Sequence, residues 1–176
     1  MSRRLGLLLG ALVYFHLPLM QADAPAPAPV EDLARRADAV VHGRVASLEA
    51  SQDAEGRVFT RVELESAEFW KGPSTNHFSL VMGSGVLGRR WTKVVGEPEF
   101  RLGEEVVVFT VQNPHGDAVT LDLAQGKFAV HEAADGRKLL SNGVFGGPME
   151  TTGYRLPTQV PLALEELKRR VEGVKP

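Results

Sequence analysis

Apolar residues recur at every second position in several stretches of this chain, a period typical of β-strands with one buried face. The clearest stretch is 58–65, where Val58, Val62 and Leu64 share a face and charged residues lie between them. Gly43 interrupts an earlier stretch, which indicates a bulge, a barrel corner or a close backbone approach. Further strands are predicted at 40–48, 77–82, 106–111, 119–123, 127–131 and 139–140.

Two other stretches follow the helical period of 3.6 residues. Residues 30–37 have acids early and bases late, as the helix dipole favours, and predict about two turns of helix. A second helix is predicted from Pro161 to Gly173, with Leu164, Leu167 and Val171 on one face. That apolar face has two candidate uses, packing on the sheet or docking a partner.

The strand period is lost between residues 83 and 103, where glycines interrupt the pattern and predict a long loop or an irregular hairpin. The centre of this segment is Arg89-Arg90-Trp91. An aromatic side chain beside two guanidinium groups is typical of protein interfaces, so we predict these three residues as the partner-binding site. The alternative is that Trp91 folds back over the end of the sheet, because tryptophan has a large area to bury.

The N-terminus has the three parts of a secretory signal peptide, namely Arg3 and Arg4, an apolar run, and small residues after the run. We predict that residues 1–22 are the leader and that cleavage follows Ala22; the alternative is an uncleaved N-terminal anchor. Residues 23–29, rich in alanine and proline, form a stiff tether. Residues 30–176 form a single domain, secreted or periplasmic, with no stable membrane span once the leader is cleaved.

Charge and composition exclude several classes of function. Removing Arg3 and Arg4 from the 20 basic residues leaves 18 against 22 acidic residues, a net charge of −4. Nucleic-acid binders normally carry the opposite sign, so a protein or small ligand is the expected partner. Cysteine is absent, which excludes disulfides, thiolate metal sites and a catalytic cysteine.

No motif in the sequence predicts catalysis, a metal or a cofactor. The histidines after the leader, at positions 42, 77, 115 and 131, form no H-E-x-x-H motif, and Ser141 has no G-x-S-x-G context. Glu104-Glu105 is a compact pair of carboxylates, and solubilising charge at a strand edge is its expected role. We therefore predict that the protein is not an enzyme.

The order of the elements resembles a known family. A short helix precedes Val40-Val41-His42-Gly43, a charged strand ends in Phe69-Trp70-Lys71-Gly72, and Gly103-Glu104-Glu105 precedes an apolar strand. This order resembles the N-terminal domain of tissue inhibitors of metalloproteinases and the netrin-like modules. Stretches 103–109 and 125–128 are also similar to uncharacterised secreted bacterial proteins.

The resemblance spans roughly residues 30–130 and implies a mainly β fold. The expected architecture is an OB-like five-stranded antiparallel barrel with a short N-terminal helix and a C-terminal helix. Those inhibitors place an N-terminal cysteine on the zinc of the protease, and this chain has no cysteine to do so. The resemblance implies an extracellular metalloprotease as the partner, but this chain cannot use the family's cysteine-based mechanism of inhibition.

Three functions agree with these observations. The first is an exported, non-enzymatic binding module that is inhibitor-like or protease-associated. The second is a structural or adaptor domain of the cell envelope without a discrete ligand. The third is a small hydrolase with no recognisable site.

Overall fold

The computed structural model describes residues 28–75, 77–142 and 162–174. The predicted leader and most of the predicted tether lie outside these ranges. The elements within them are α1 (Val30–Arg36), β1 (Ala39–Gln52), β2 (Val58–Lys71), β3 (Phe78–Met82), β4 (Gly85–Leu87), β5 (Arg90–Thr92), β6 (Glu105–Gln112), β7 (Ala118–Thr120), the 3-10 helix η1 (Leu123–Gly126), β8 (Lys127–Glu132), β9 (Lys138–Ser141), β10 (Leu162–Ala163) and α2 (Leu164–Glu172).

Eight of the strands pair antiparallel in one sheet, and the hairpin β4–β5 lies outside it. The order along the sheet is β10-β9-β8-β6-β1-β2-β3, and β7 pairs with the end of β6. β1 is the central strand, since residues 39–44 pair with β6 on one edge and residues 40–52 pair with β2 on the other. The described part of the chain is therefore mainly β with two α-helices, as the sequence predicts.

The predicted irregularity at Gly43 is confirmed. The register between β1 and β2 shifts between His42 and Arg44, which identifies a bulge. A Cβ atom at Gly43 would lie 3.1 Å from the carbonyl oxygen of Glu65 and 3.3 Å from the Cβ of Leu64. A side chain here would therefore force a neighbouring atom to move by a few tenths of an ångström, as expected where two backbones approach closely.

The closed barrel is not confirmed. β3 and β7 contact each other, but no hydrogen-bonded ladder joins them, so the sheet is open in the part of the chain that the structure describes. The predicted strand at 119–123 is also shorter than expected. β7 ends at Thr120 because Asp122 and Leu123 adopt left-handed φ values of 48° and 56° and lead into η1.

The sheet has a hydrophobic core on each face, because successive side chains of its central strands point in opposite directions. In β6, Val107 and Phe109 belong to the core that faces the helices, and Val106 and Val108 belong to the core on the other face. All four are fully buried, which confirms that this strand is covered on both sides.

The two helices pack side by side on the first of these cores. The predicted apolar face of α2 is confirmed, because Leu164, Leu167 and Val171 are buried against this core and not available to a partner. The predicted start of the helix was wrong: it begins at Leu164, since Leu162 and Ala163 pair with β9 as a strand. Among the described residues, no helix is long and apolar enough to cross a membrane.

Val62→Asp should unfold the domain, and Glu63→Ala should leave it almost unchanged. Val62 is fully buried in the core opposite the helices, where an unpaired carboxylate costs several kcal/mol, about the whole stability of a small domain. Glu63 is the adjacent exposed residue, where substitutions usually change stability by about 0.5 kcal/mol or less. Two urea denaturation curves measure both effects, and equal loss in the two variants would contradict this register.

Glu31→Gln should reduce the sensitivity of folding to acid. Two hydrogen bonds of 2.6 and 2.7 Å from the Arg170 guanidinium tie α2 to α1 and lower the pKa of Glu31 from 4.5 to about 2. The ionised carboxylate is thus favoured in the folded chain, so this stabilisation is present above pH 4.5 and lost as the pH falls toward 2. Denaturation curves across that window measure it. Arg170→Gln should give the same acid dependence of stability as Glu31→Gln, and the double variant should lose no more stability than either single variant. A wild-type acid response in Glu31→Gln would contradict the assignment of this ion pair.

Candidate functional site

The hairpin β4–β5 occupies part of the segment 83–103, for which the sequence predicts a long loop or an irregular hairpin. Its strands pair Gly85 with Thr92, Val86 with Trp91 and Leu87 with Arg90. The turn between them contains Gly88, whose φ of +60° suits glycine. The three predicted site residues are thereby brought together at the turn and on the strand that follows it.

Close backbone packing and two hydrogen bonds hold this hairpin against β2. The hydroxyl of Thr60 donates to the carbonyl of Ser84 at 2.8 Å, and the backbone N–H of Val58 donates to the hydroxyl of Thr92 at 3.1 Å. A Cβ atom at Gly85 would lie 2.9 Å from the Thr60 hydroxyl and 3.0 Å from the carbonyl carbon of Phe59, so a side chain here would force the hairpin or β2 to shift.

Glu97 closes the base of the hairpin. Its carboxylate accepts hydrogen bonds from the backbone N–H groups of Gly83 and Ser84 at 2.7 and 2.8 Å. The hydroxyl of Ser84 in turn accepts a hydrogen bond of 2.9 Å from the N–H of Val94. The base of the hairpin, where the chain enters and leaves it, is therefore held by polar contacts that do not involve Trp91.

These contacts turn Trp91 outward. Because Gly85 and Thr92 face β2, the alternation along two short strands directs Val86 and Trp91 away from β2. Trp91 is 72% exposed and Val86 is 69% exposed, so the alternative in which Trp91 folds back over the sheet does not describe this structure. Two large apolar side chains lie side by side in solvent.

An apolar groove of about 580 Å³ lies beside this pair. The hairpin forms one wall of the groove, and residues of β1, β2, β3 and the 97–100 segment form the rest of its lining. The residues that give the groove its apolar character include Leu48, Met82, Val86, Trp91, Pro98 and Phe100. We call this feature the Trp91 groove.

A buried lysine supports one side of the Trp91 groove. The ammonium of Lys127 donates to the carbonyl of Glu99 at 2.7 Å and to the carboxylate of Glu104 at 2.6 Å, and lies 5.0 Å from the centre of the Phe100 ring. Burial lowers the pKa of the Lys127 ammonium, and the Glu104 carboxylate opposes that shift. Lys127 thus fixes the segment that carries Phe100.

The chain matches no protein-family model, no curated protein and no solved structure. The charged residues that line the Trp91 groove are Lys93, Glu97 and Glu99, and the two predicted arginines do not line it. Within the described ranges, neither Arg89 nor Arg90 forms an ion pair, whereas Lys93 lies 3.9 Å from Glu99 and Glu97 accepts two backbone hydrogen bonds.

A second groove, of about 750 Å³, lies near the β1–β2 turn. Its charged residues are paired with one another, since Arg57 contacts Asp53 at 2.6 Å and Arg61 lies 3.8 Å from Asp117. A charged side chain that already has an ion-pair partner gains less binding energy from a ligand than an unpaired one does. The Trp91 groove is therefore the stronger candidate site.

His42 belongs to a charged cluster that sequence reasoning missed. Its Nε2 lies 2.7 Å from the carboxylate of Glu105, and its Nδ1 lies 3.6 Å from that of Glu68. The hydrogen bond from Lys168 lowers the pKa of Glu68. Burial opposes the same shift at Glu105, but Lys138 and His42 still lower the pKa of that carboxyl.

The cluster joins α2 and β9 to the central strands. Lys168 bonds Glu68 at 2.6 Å, and Lys138 bonds Glu105 at 2.7 Å. Glu105 is thus a half-buried ion-pair partner, and the expected role of Glu104-Glu105 as solubilising edge charge was wrong. In the described ranges, no group of three His, Asp or Glu side chains is arranged to hold a metal ion.

A serine and a histidine meet on neighbouring strands. Nε2 of His131 lies 2.7 Å from the hydroxyl of Ser141. A nucleophile needs a base that is oriented by a third group. Among the residues that the structure describes, no hydrogen bond or ion pair joins His131 to a carboxylate, so no third group orients this histidine.

The two tryptophans should differ sharply in their effect on stability. Trp91→Ala should change the free energy of unfolding by about 0.5 kcal/mol or less, because the side chain is exposed. Trp70→Ala should cost about 3 to 5 kcal/mol, because Trp70 is 8% exposed and belongs to the core facing the helices. Chemical denaturation of both variants measures the difference, and a large loss in Trp91→Ala would place that side chain in the core.

Proposed function

We propose that this chain is an exported, non-enzymatic protein-binding module and that its partner binds in the Trp91 groove. One observation carries the proposal. Trp91 and Val86 are about 70% exposed beside an apolar groove, on a hairpin that other residues hold in place. Monomeric proteins seldom expose adjacent large apolar side chains without a binding role.

The energetics of the groove suit a protein partner. A tryptophan buries roughly 150–250 Å² when it is covered, which at about 25 cal/mol per Å² is several kcal/mol before the cost of association. The hairpin is already fixed by Thr60, Thr92 and Glu97, so little conformational entropy is lost when a partner binds. Tryptophan and arginine are the residues most enriched among energetically dominant interface positions.

We also propose that β1, β2, β3, β6 and β7 form an OB-like barrel with one gap. The supporting observation is the order β3-β2-β1-β6-β7 together with the contact between β3 and β7. An extracellular metalloprotease is the partner class that the family resemblance implies, and inhibition without a cysteine would have to act through surface contact alone. Export as a secreted or periplasmic protein rests on the predicted leader at 1–22.

Differential capture tests this proposal. The purified protein, Trp91→Ala and the control Arg137→Ala serve as matched baits for proteins of the secreted fraction. Arg137 is exposed and lies in the β8–β9 turn, away from the lining of the groove. We expect a protein that wild type and Arg137→Ala capture equally and that Trp91→Ala captures at least tenfold less. Identical capture by all three baits would contradict the proposal, and protease assays with the captured protein then test inhibition.

A further inference from the structure

The N-terminal end of the described chain lies close to the Trp91 groove. The backbone N–H of Ala28 donates to the side-chain carbonyl of Gln125 at 2.8 Å. The N–H of the adjacent Ala124 donates to the carbonyl of Gly96 at 2.9 Å, and the next residue, Glu97, lines the groove. Two hydrogen bonds therefore connect the point where the N-terminal segment joins the domain to the rim of the groove.

Exposed apolar side chains lie along this path. Val95, which precedes Gly96, is 87% exposed, and Leu123 is 44% exposed. A Cβ atom at Gly96 would lie 3.1 Å from the Cδ1 atom of Leu123, so this leucine contacts the same turn. Val86 and Trp91 are exposed on the far side of the rim. An apolar surface thus extends from the N-terminal end of the domain to the groove.

The sequence before Ala28 supplies an apolar segment of matching reach. Residues 5–20 are rich in leucine and contain no Asp, Glu, Lys or Arg. Residues 21–27 connect this run to Ala28, and a proline-rich linker of that length spans roughly 20 to 25 Å. A segment on so short a linker has an effective concentration on the order of 1 mM at a nearby site.

We infer that, before the leader is cleaved, part of residues 5–20 occupies the Trp91 groove and excludes the partner, an inference that rests on the proposed function. In water, the apolar run is stabilised by covering exposed apolar surface, and the groove lies beside its point of attachment. Removal of the leader then opens the groove, so binding of the partner follows export.

The charges in the groove agree with an uncharged occupant. The carboxylate of Glu97 accepts two backbone hydrogen bonds, and that of Glu99 lies 3.9 Å from the ammonium of Lys93. The charged groups of the lining thus have partners within the chain, and an apolar segment leaves none of them without one.

Acrylamide quenching of Trp91 in the Trp70→Phe background tests this contact. Cell-free synthesis without membranes gives the full chain with its leader, and a second chain begins at Asp23 and keeps every described residue. We expect the quenching constant of the full chain to be at least about threefold lower, because a contact within one chain is mostly closed. The protection should not change with protein concentration.

Two leader variants separate apolar contact from an effect of added charge. In the full chain, Phe15→Asp/Leu17→Asp should raise quenching to that of the chain beginning at Asp23, because carboxylates are excluded from an apolar groove. The control Ser2→Asp/Gln21→Asp adds the same charges outside the apolar run and should keep the protection. In the capture experiment, the full chain should retain about tenfold less partner than the chain beginning at Asp23.

The outcomes distinguish this inference from the function on which it rests. Equal quenching of the two chains would overturn the inference. Protection that rises with protein concentration would also overturn it, because the leader would then be joining separate copies. Loss of protection in the control variant would overturn it as well. All three results leave the binding module intact if the chain beginning at Asp23 captures a partner through Trp91, whereas capture that does not require Trp91 would overturn the proposed function itself.

Discussion

The structure depends on the register of β1 against its two neighbours. Its first half is hydrogen-bonded to β6 on one edge and to β2 on the other, so the position of each residue in it is fixed from both sides. Val40 enters the core that faces the helices, and Val41 enters the opposite core. A slip of one residue would exchange these faces, and the buried alternation of β1 therefore specifies the whole sheet.

The candidate site is built on this scaffold by polar contacts. The hairpin contributes no residue to either hydrophobic core; it is held by the hydroxyls of Thr60 and Thr92 and by the carboxylate of Glu97. Its strands have two faces, and the polar contacts occupy the face toward β2. The apolar face, with Trp91 and Val86, is consequently left to solvent and to a partner.

Much of the fold could be predicted because its strands are periodic. The alternation of Val58, Val62 and Leu64 and the apolar run of β6 both lie where the sequence indicated. The end of β7 could not be predicted, since Asp122 and Leu123 turn the chain by left-handed conformations that leucine rarely adopts. The short strand β10 also had no signal of its own, because two residues are too few to show a period.

The site was predicted in composition but not in geometry. Arg89, Arg90 and Trp91 stand out by residue type, yet their exposure depends on hydrogen bonds from residues 24 and 34 positions apart in sequence. Glu104 lies just before β6 and Glu105 begins it, but their partners Lys127 and Lys138 follow only from the pairing of β6, β8 and β9. Such long-range polar pairs leave no periodic trace in a sequence.

The most direct test of this account is whether Trp91 faces solvent in the free protein. In a Trp70→Phe chain, Trp91 is the only tryptophan, so quenching of its fluorescence by acrylamide measures its exposure in solution. In the chain that begins at Asp23, we expect quenching close to that of free tryptophan, and marked protection when a captured partner whose binding requires Trp91 is added. Strong protection in the free protein would mean that the hairpin packs Trp91 against the sheet, and would contradict the account.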